Sequence, residues 1–122
     1  MISLNDPSLL KTDAFINGQF TAAVKDKRFS VTNPANGAVI AEVADFGADG
    51  IAAAIDAAEA ARHAWAARTA KDRAGILRRW YDLCIEHADD LATILTAEMG
   101  KPLAEAKGEI LYGSSFIEWF AE

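Results

Sequence analysis

Phe29-Ser30-Val31-Thr32-Asn33-Pro34-Ala35-Asn36-Gly37-Ala38-Val39-Ile40-Ala41-Glu42-Val43 is the stretch on which the fold turns. Phe29 to Thr32 alternates apolar and polar, as a half-buried strand does, and Val39 to Val43 alternates again. Between them, Asn33-Pro34-Ala35-Asn36-Gly37 is dense turn chemistry: proline presets φ, asparagine bonds its own backbone and glycine accepts positive φ. Upstream, Phe15-Ile16-Asn17-Gly18-Gln19-Phe20 sets Asn-Gly between apolar pairs. That is the strongest short hairpin signal, because both turn positions need positive φ. Another turn is expected at Lys25-Asp26-Lys27. Farther back, Asp6-Pro7 can start a short helix through Leu10, with the acid as cap and proline in the first turn. Residues 1–46 thus read as an N-terminal leader and a small antiparallel sheet of three short strands.

Residues 47–122 are alanine-rich and helical. A first helix begins near Ala48 or Asp49 and ends before Thr69, with Ile51, Ile55, Ala58 and Trp65 on one stripe. The alanines favour the helix and allow close approach. Thr69-Ala70-Lys71-Asp72 resembles a capping box with Asp72 in place of the usual glutamate. The second helix carries Ile76, Leu77, Trp80, Leu83 and Cys84 inward. It breaks or bends around His87 to Asp89, and Leu91, Ile94 and Leu95 resume the stripe. Gly100 suits the left-handed position after a helix end, and Pro102 the first turn of the next helix.

That last helix has too many apolar sides. At about 100° per residue, Leu103, Ala106, Ile110, Gly113 and Ile117 share one face. Tyr112, Phe116 and Trp119 gather nearly opposite, with Phe120 between. An apolar band around most of a helix implies burial on several sides. Two readings fit: the helix packs on elements outside this chain, or it self-associates through its aromatic side.

The length of 122 residues allows one domain. A formal net charge of −6 argues against nucleic acid or an anionic membrane as partner, since both reward a basic surface. No apolar run approaches the roughly 18 residues that a membrane helix needs. The opening Met1-Ile2-Ser3-Leu4-Asn5-Asp6-Pro7 lacks the basic patch and apolar stretch of a secretory signal. Cys84 is the single cysteine, so no intrachain disulfide forms, which fits a reducing, cytoplasmic setting.

The chemistry-bearing residues do not assemble into a catalytic set. Cys84 sits mid-helix among Trp80, Tyr81, Leu83 and Ile85, a setting for a small buried apolar residue rather than a reactive thiol. His63 and His87 lie far apart, without a Cys or His at ligand spacing. Glu105 and Glu109 stand one turn apart and suit either acid–base work or a solvated helix start. Neither G-x-G-x-x-G nor a Walker pattern occurs. Arg73, Arg78 and Arg79 decorate a helix surface in an acidic protein.

The order of motifs is nevertheless specific. Phe15-Ile16-Asn17-Gly18, Thr32-Asn33-Pro34-Ala35-Asn36-Gly37, the helix ending near Trp65, Thr69-Ala70-Lys71-Asp72-Arg73, Glu98-Met99-Gly100-Lys101-Pro102 and Glu105-Ala106-Lys107-Gly108-Glu109 follow one another. Together they resemble the start of an NAD(P)-dependent aldehyde dehydrogenase, from about Leu9 to Glu122. The tail from Lys101 is most similar to the succinate-semialdehyde dehydrogenase branch.

The resemblance implies an α/β parent fold, of which this segment is an incomplete N-terminal portion of the cofactor-binding domain: short strands, then three or four α-helices. It implies a homo-oligomeric parent, dimer or tetramer, that oxidises a small aldehyde, succinate semialdehyde for that branch, with NAD or NADP. The family's catalytic and cofactor-binding residues are expected outside this segment, and Cys84 does not match the nucleophile's motif. Three positions match a monovalent-cation site of the family: Val31 and Thr32 before the Asn-Pro turn, and Glu98 before Gly-Lys-Pro, where several relatives carry aspartate. The same glutamate can instead simply end a helix. In the family the last helix flanks the substrate tunnel, which assigns Tyr112, Phe116 and Trp119 to that wall. Against these stand a non-enzymatic, self-associating helical module, and an aldehyde dehydrogenase of another specificity.

Overall fold

In the computed structural model, which describes residues 2–122, the Asn-Gly pair turns the chain with φ of 50° at Asn17 and 78° at Gly18. It joins β1 (Ala14–Ile16) to β2 (Gln19–Thr21), antiparallel, with Phe15 opposite Phe20. Their ring centroids lie 5.2 Å apart, and the Lys11 ammonium sits 4.8 Å from the Phe20 ring. Both rings are exposed, so the turn and this cross-strand pair hold the ribbon without a core beneath it.

A 3₁₀ turn at Val24–Asp26, with positive φ at Lys25 and Asp26, leads into β3 (Arg28–Thr32). The Arg28 guanidinium bonds the carboxylates of Asp26 and Asp13, each at 2.8 Å. β3 pairs antiparallel with β4 (Val39–Ala44), and the register slips between Val31 and Thr32. The connecting turn closes on itself: the Asn33 side chain accepts from Ala35 N and Asn36 from Ala38 N, both at 2.9 Å.

The expected single sheet of three strands does not form. Four strands make two separate two-stranded ribbons among the described residues. Each turn saturates its own local pair, and three-residue β1 and β2 leave little ladder to extend. Instead, β4 is tied to the segment just ahead of β1 by a backbone bond from Ala44 N to Thr12 O, 2.8 Å.

The helices are α1 (Ala48–Ala67), α2 (Ala70–Glu86), α3 (Ala88–Met99) and α4 (Leu103–Ala121). Thr69 Oγ1 accepts from Asp72 N at 3.1 Å, the N-cap half of the capping box. His87, with φ −101° and ψ 15°, separates α2 from α3. Gly100, at φ 82°, closes α3 and donates its N–H to Thr96 O at 2.9 Å. Pro102 caps α4, one position earlier than the sequence places it.

The core is α2, α3 and α4, with α4 packed on both others. It is closed by small side chains: Ala92 and Ala106 are fully buried, and Ala88, Ala97, Ser114 and Ala121 nearly so. Small residues let the helix backbones approach closely. On α2, Leu77, Tyr81 and Cys84 are half-buried, whereas Ile76, Trp80 and Leu83 are exposed, so the inward row is turned from the one the sequence suggests. Arg78 ties α2 to α4 by bonding Glu118 at 3.0 Å and also pairing with Glu122. Helix α1 has no buried residue.

The leader is fastened to this core by a buried charge. Asp90, 5% exposed, accepts from Asn5 N at 2.9 Å, Asn5 Nδ2 at 3.1 Å and Asp6 N at 2.8 Å. Asp6 in turn caps the 3₁₀ turn Pro7–Leu9 by accepting from Ser8 N.

Candidate functional site

Two places on this scaffold gather the residues singled out by the sequence: the outer face of α4, and the junction between the end of α3 and the β3–β4 turn. On α4 the buried row is Ala106, Ser114 and Ala121, with Ile110 and Ile117 half-buried. Leu103 and Gly113, assigned to that row by the helical wheel, are exposed. The opposite side is aromatic and open: Trp119 is 77% exposed, Phe120 74%, Tyr112 67% and Phe116 50%. Tyr112 and Phe116, one turn apart, meet edge to face with centroids 5.0 Å apart. With Trp119 they wall a groove of about 560 Å³. Its sides are apolar rings and its ends carry Ser115, Glu118 and Glu122, so it suits an apolar body and offers no cation to an acid.

The second place is built by Gly100. A Cβ there would stand 3.0 Å from Pro34 Cγ on a residue with φ of 82°, so glycine lets the end of α3 seat on the turn without strain or a shift of the proline ring. Asn33, which follows Thr32 at the end of β3, and Gly100, two residues after Glu98, line one cavity there. The register slip between Val31 and Thr32 locally disrupts the ladder, a place where backbone groups go unpaired. Glu98 lies in the last turn of α3, which holds no basic residue. A carboxylate beside free helix-terminal carbonyls is electrostatically unfavourable unless a cation stands near. A cation site there would draw on the backbone oxygens of Val31 and Thr32 and on the Glu98 carboxylate, hard oxygen donors of the kind that alkali and alkaline-earth cations take. Among the described residues no group of three or more His, Cys, Asp or Glu is placed to hold a metal, so such a site would rest mainly on backbone oxygens.

The other candidates stay apart. Cys84 is half-buried in α2. His63 is exposed on α1, 3.7 Å from Glu59, and His87 sits at the α2–α3 break. Glu109 pairs with Lys101, and Glu105 stands exposed in the first turn of α4. Arg73 bonds the carbonyls of Ala66 and Arg68 and so closes the α1–α2 corner.

Sequence reasoning missed Asp90. Backbone hydrogen bonds from Asp6 and Asn5 hold its carboxyl below the ordinary aspartate range. The available signal was an acid on the apolar side of α3, flanked by Ala88, Ala92 and Leu91, where a charge needs a partner.

These features coincide with one family over most of the chain. Residues 20–122 match the aldehyde dehydrogenase family, and the chain belongs to it. Among its relatives, the succinate-semialdehyde dehydrogenase [NADP(+)] of Escherichia coli (strain K12) is 56% identical over 99% of this chain and 25% of that protein. A glutarate-semialdehyde dehydrogenase of Pseudomonas putida is 52% identical over 99% of this chain and 25% of its own length. The crystal structure of succinate-semialdehyde dehydrogenase from Burkholderia pseudomallei superposes with a TM-score of 0.94 at 57% identity, covering 98% of this chain and 25% of that one. The chain spans about a quarter of the length of these relatives. None of its described helices is long and apolar enough to cross a membrane.

Proposed function

We propose that this chain is the N-terminal quarter of an NAD(P)-dependent enzyme that oxidises succinate semialdehyde to succinate, and that it supplies scaffold rather than catalytic groups. The likeness to a succinate-semialdehyde dehydrogenase along 99% of the chain carries this reading. In such an oxidation the nicotinamide accepts the aldehyde hydrogen as hydride. The segment contributes part of the cofactor-binding domain: residues 1–46 as leader and ribbons, and residues 47–122 as the helical layer. The rings of Tyr112, Phe116 and Trp119 flank the substrate tunnel from one side. Backbone oxygens of Val31 and Thr32, with Glu98, hold a monovalent cation that ties α3 to the turn. The partners are the rest of the enzyme and further copies of it in a cytoplasmic homo-oligomer, dimer or tetramer.

A second reading keeps the reaction and changes the acid. The glutarate-semialdehyde relative is within a few per cent of the succinate-semialdehyde one in identity, so this quarter does not separate them. Purified chain and the longer polypeptide carrying it are assayed with NAD+ and NADP+ against both semialdehydes. The isolated chain is expected to show no reduction of either nucleotide, and the longer polypeptide to prefer succinate semialdehyde. Turnover by the isolated chain would overturn the assignment of catalysis elsewhere.

A further inference from the structure

The core contains one buried side-chain polar atom with no hydrogen-bond partner among the described residues: Thr96 Oγ1. Such a group costs about 1–3 kcal/mol when left unmade, so it calls for an explanation. Thr96 lies in the wall of a cavity of about 360 Å³ between the leader, the β3–β4 turn and the end of α3. Ile2, Ala35, Ala97 and Leu103 make its lining largely apolar. The polar liners nearby are already engaged, since Thr93 Oγ1 donates to Asp89 O at 2.8 Å and Asn33 Oδ1 accepts from Ala35 N at 2.9 Å. Ser3 also lines the cavity but is exposed, so among the described residues the Thr96 hydroxyl is the buried side-chain group there that lacks a partner. A helical threonine has two accessible χ1 rotamers, so the hydroxyl is not confined to one position.

We propose that this cavity is a socket for a segment from the rest of the parent polypeptide, which seats one apolar side chain there and gives a backbone carbonyl to the Thr96 hydroxyl. Three observations select that occupant. The space is of the size of a large side chain with its backbone. The lining is uncharged, which suits a peptide better than an ionic ligand. The relatives are about four times as long as this chain, so they contain ample polypeptide to fill it. The inference rests on the reading of the chain as part of a longer enzyme.

The test is Thr96→Val, which keeps the shape and removes the hydroxyl, made in the 122-residue chain and in the longer polypeptide. In the chain alone, melting is expected to stay level or rise, because an orphaned group has gone. In the longer polypeptide it is expected to fall by roughly 2–4 °C, because a satisfied bond has been lost. Thr96→Ser keeps the hydroxyl and is expected to lose less than half as much there. Equal shifts of the same sign in both backgrounds would overturn the proposal, as would a serine variant as unstable as the valine one. If the isolated chain melts without cooperativity, the valine–serine comparison in the longer polypeptide decides alone. Failure of the parent reading would appear differently, as a longer polypeptide that is stable but turns over no semialdehyde.

Discussion

Helices α1 and α3 draw on the same alphabet and meet opposite fates. Both are rich in alanine, with isolated large apolar residues at helical spacing. Helix α3 has 12 residues and buries Ala88, Asp90, Ala92 and Ala97; α1 has 20 and buries none. Propensity made both helices, but only tertiary contact made one of them core. An alanine stripe therefore states that something can come close, not that it has.

Enlarging one alanine in each helix tests this directly. Ala92→Leu is expected to cost about 1–3 kcal/mol in chemical denaturation, since a fully buried position has no room for three more carbons. Ala58→Leu on the α1 stripe should change the isolated chain by less than about 0.5 kcal/mol. A large loss at Ala58 would break the contrast. Loss only in the longer polypeptide would sharpen it, by showing that α1 is covered there.

The next effect is at the end of α3. Gly100→Ala puts a Cβ on a left-handed residue and against Pro34, and should cost about 1–2 kcal/mol from the backbone alone. Thr69→Ala removes the α2 cap and should cost about 1 kcal/mol, read from the same denaturation curves. Smallest in global terms is Asp90→Ala. It should speed exchange of the Asn5 and Asp6 amides by roughly tenfold while leaving the helices protected. The wild-type tether carries a pH signature of known sign. Because folding depresses the Asp90 pKa, the tether is complete above the ordinary aspartate value. It is lost as pH falls through the lowered one, so leader protection should hold through the ordinary aspartate range and weaken below it.

Much of this fold was legible because it is local. Asn17-Gly18, Asn33 to Gly37, Thr69 and Gly100 each encode a backbone conformation in two to five residues, and all adopt it. What one ribbon does beside another is not local, so the three-stranded sheet dissolved into two hairpins. The same holds for α2, where the stripe was visible but the turn of the helix that hides Leu77 and exposes Trp80 depends on α4. On α4 the two apolar faces were evident, yet the choice of buried face fell to small residues, Ala106, Ser114 and Ala121, over aromatic ones. The Asp90 anchor escaped because its partners are backbone amides more than 80 positions away, which no spacing rule reaches.

That anchor also sets a timetable. Asn5 and Asp6 leave the ribosome early, but the carboxylate that holds them is made 84 and 85 residues later. At roughly 5–20 residues per second, the leader stays untethered for seconds while both ribbons and α1 emerge behind it. Closing so long a loop is entropically costly, yet the cost grows only slowly with its length. The leader is therefore fixed only after a segment 84 and 85 residues behind it has been made, and its docking reports that α3 has arrived.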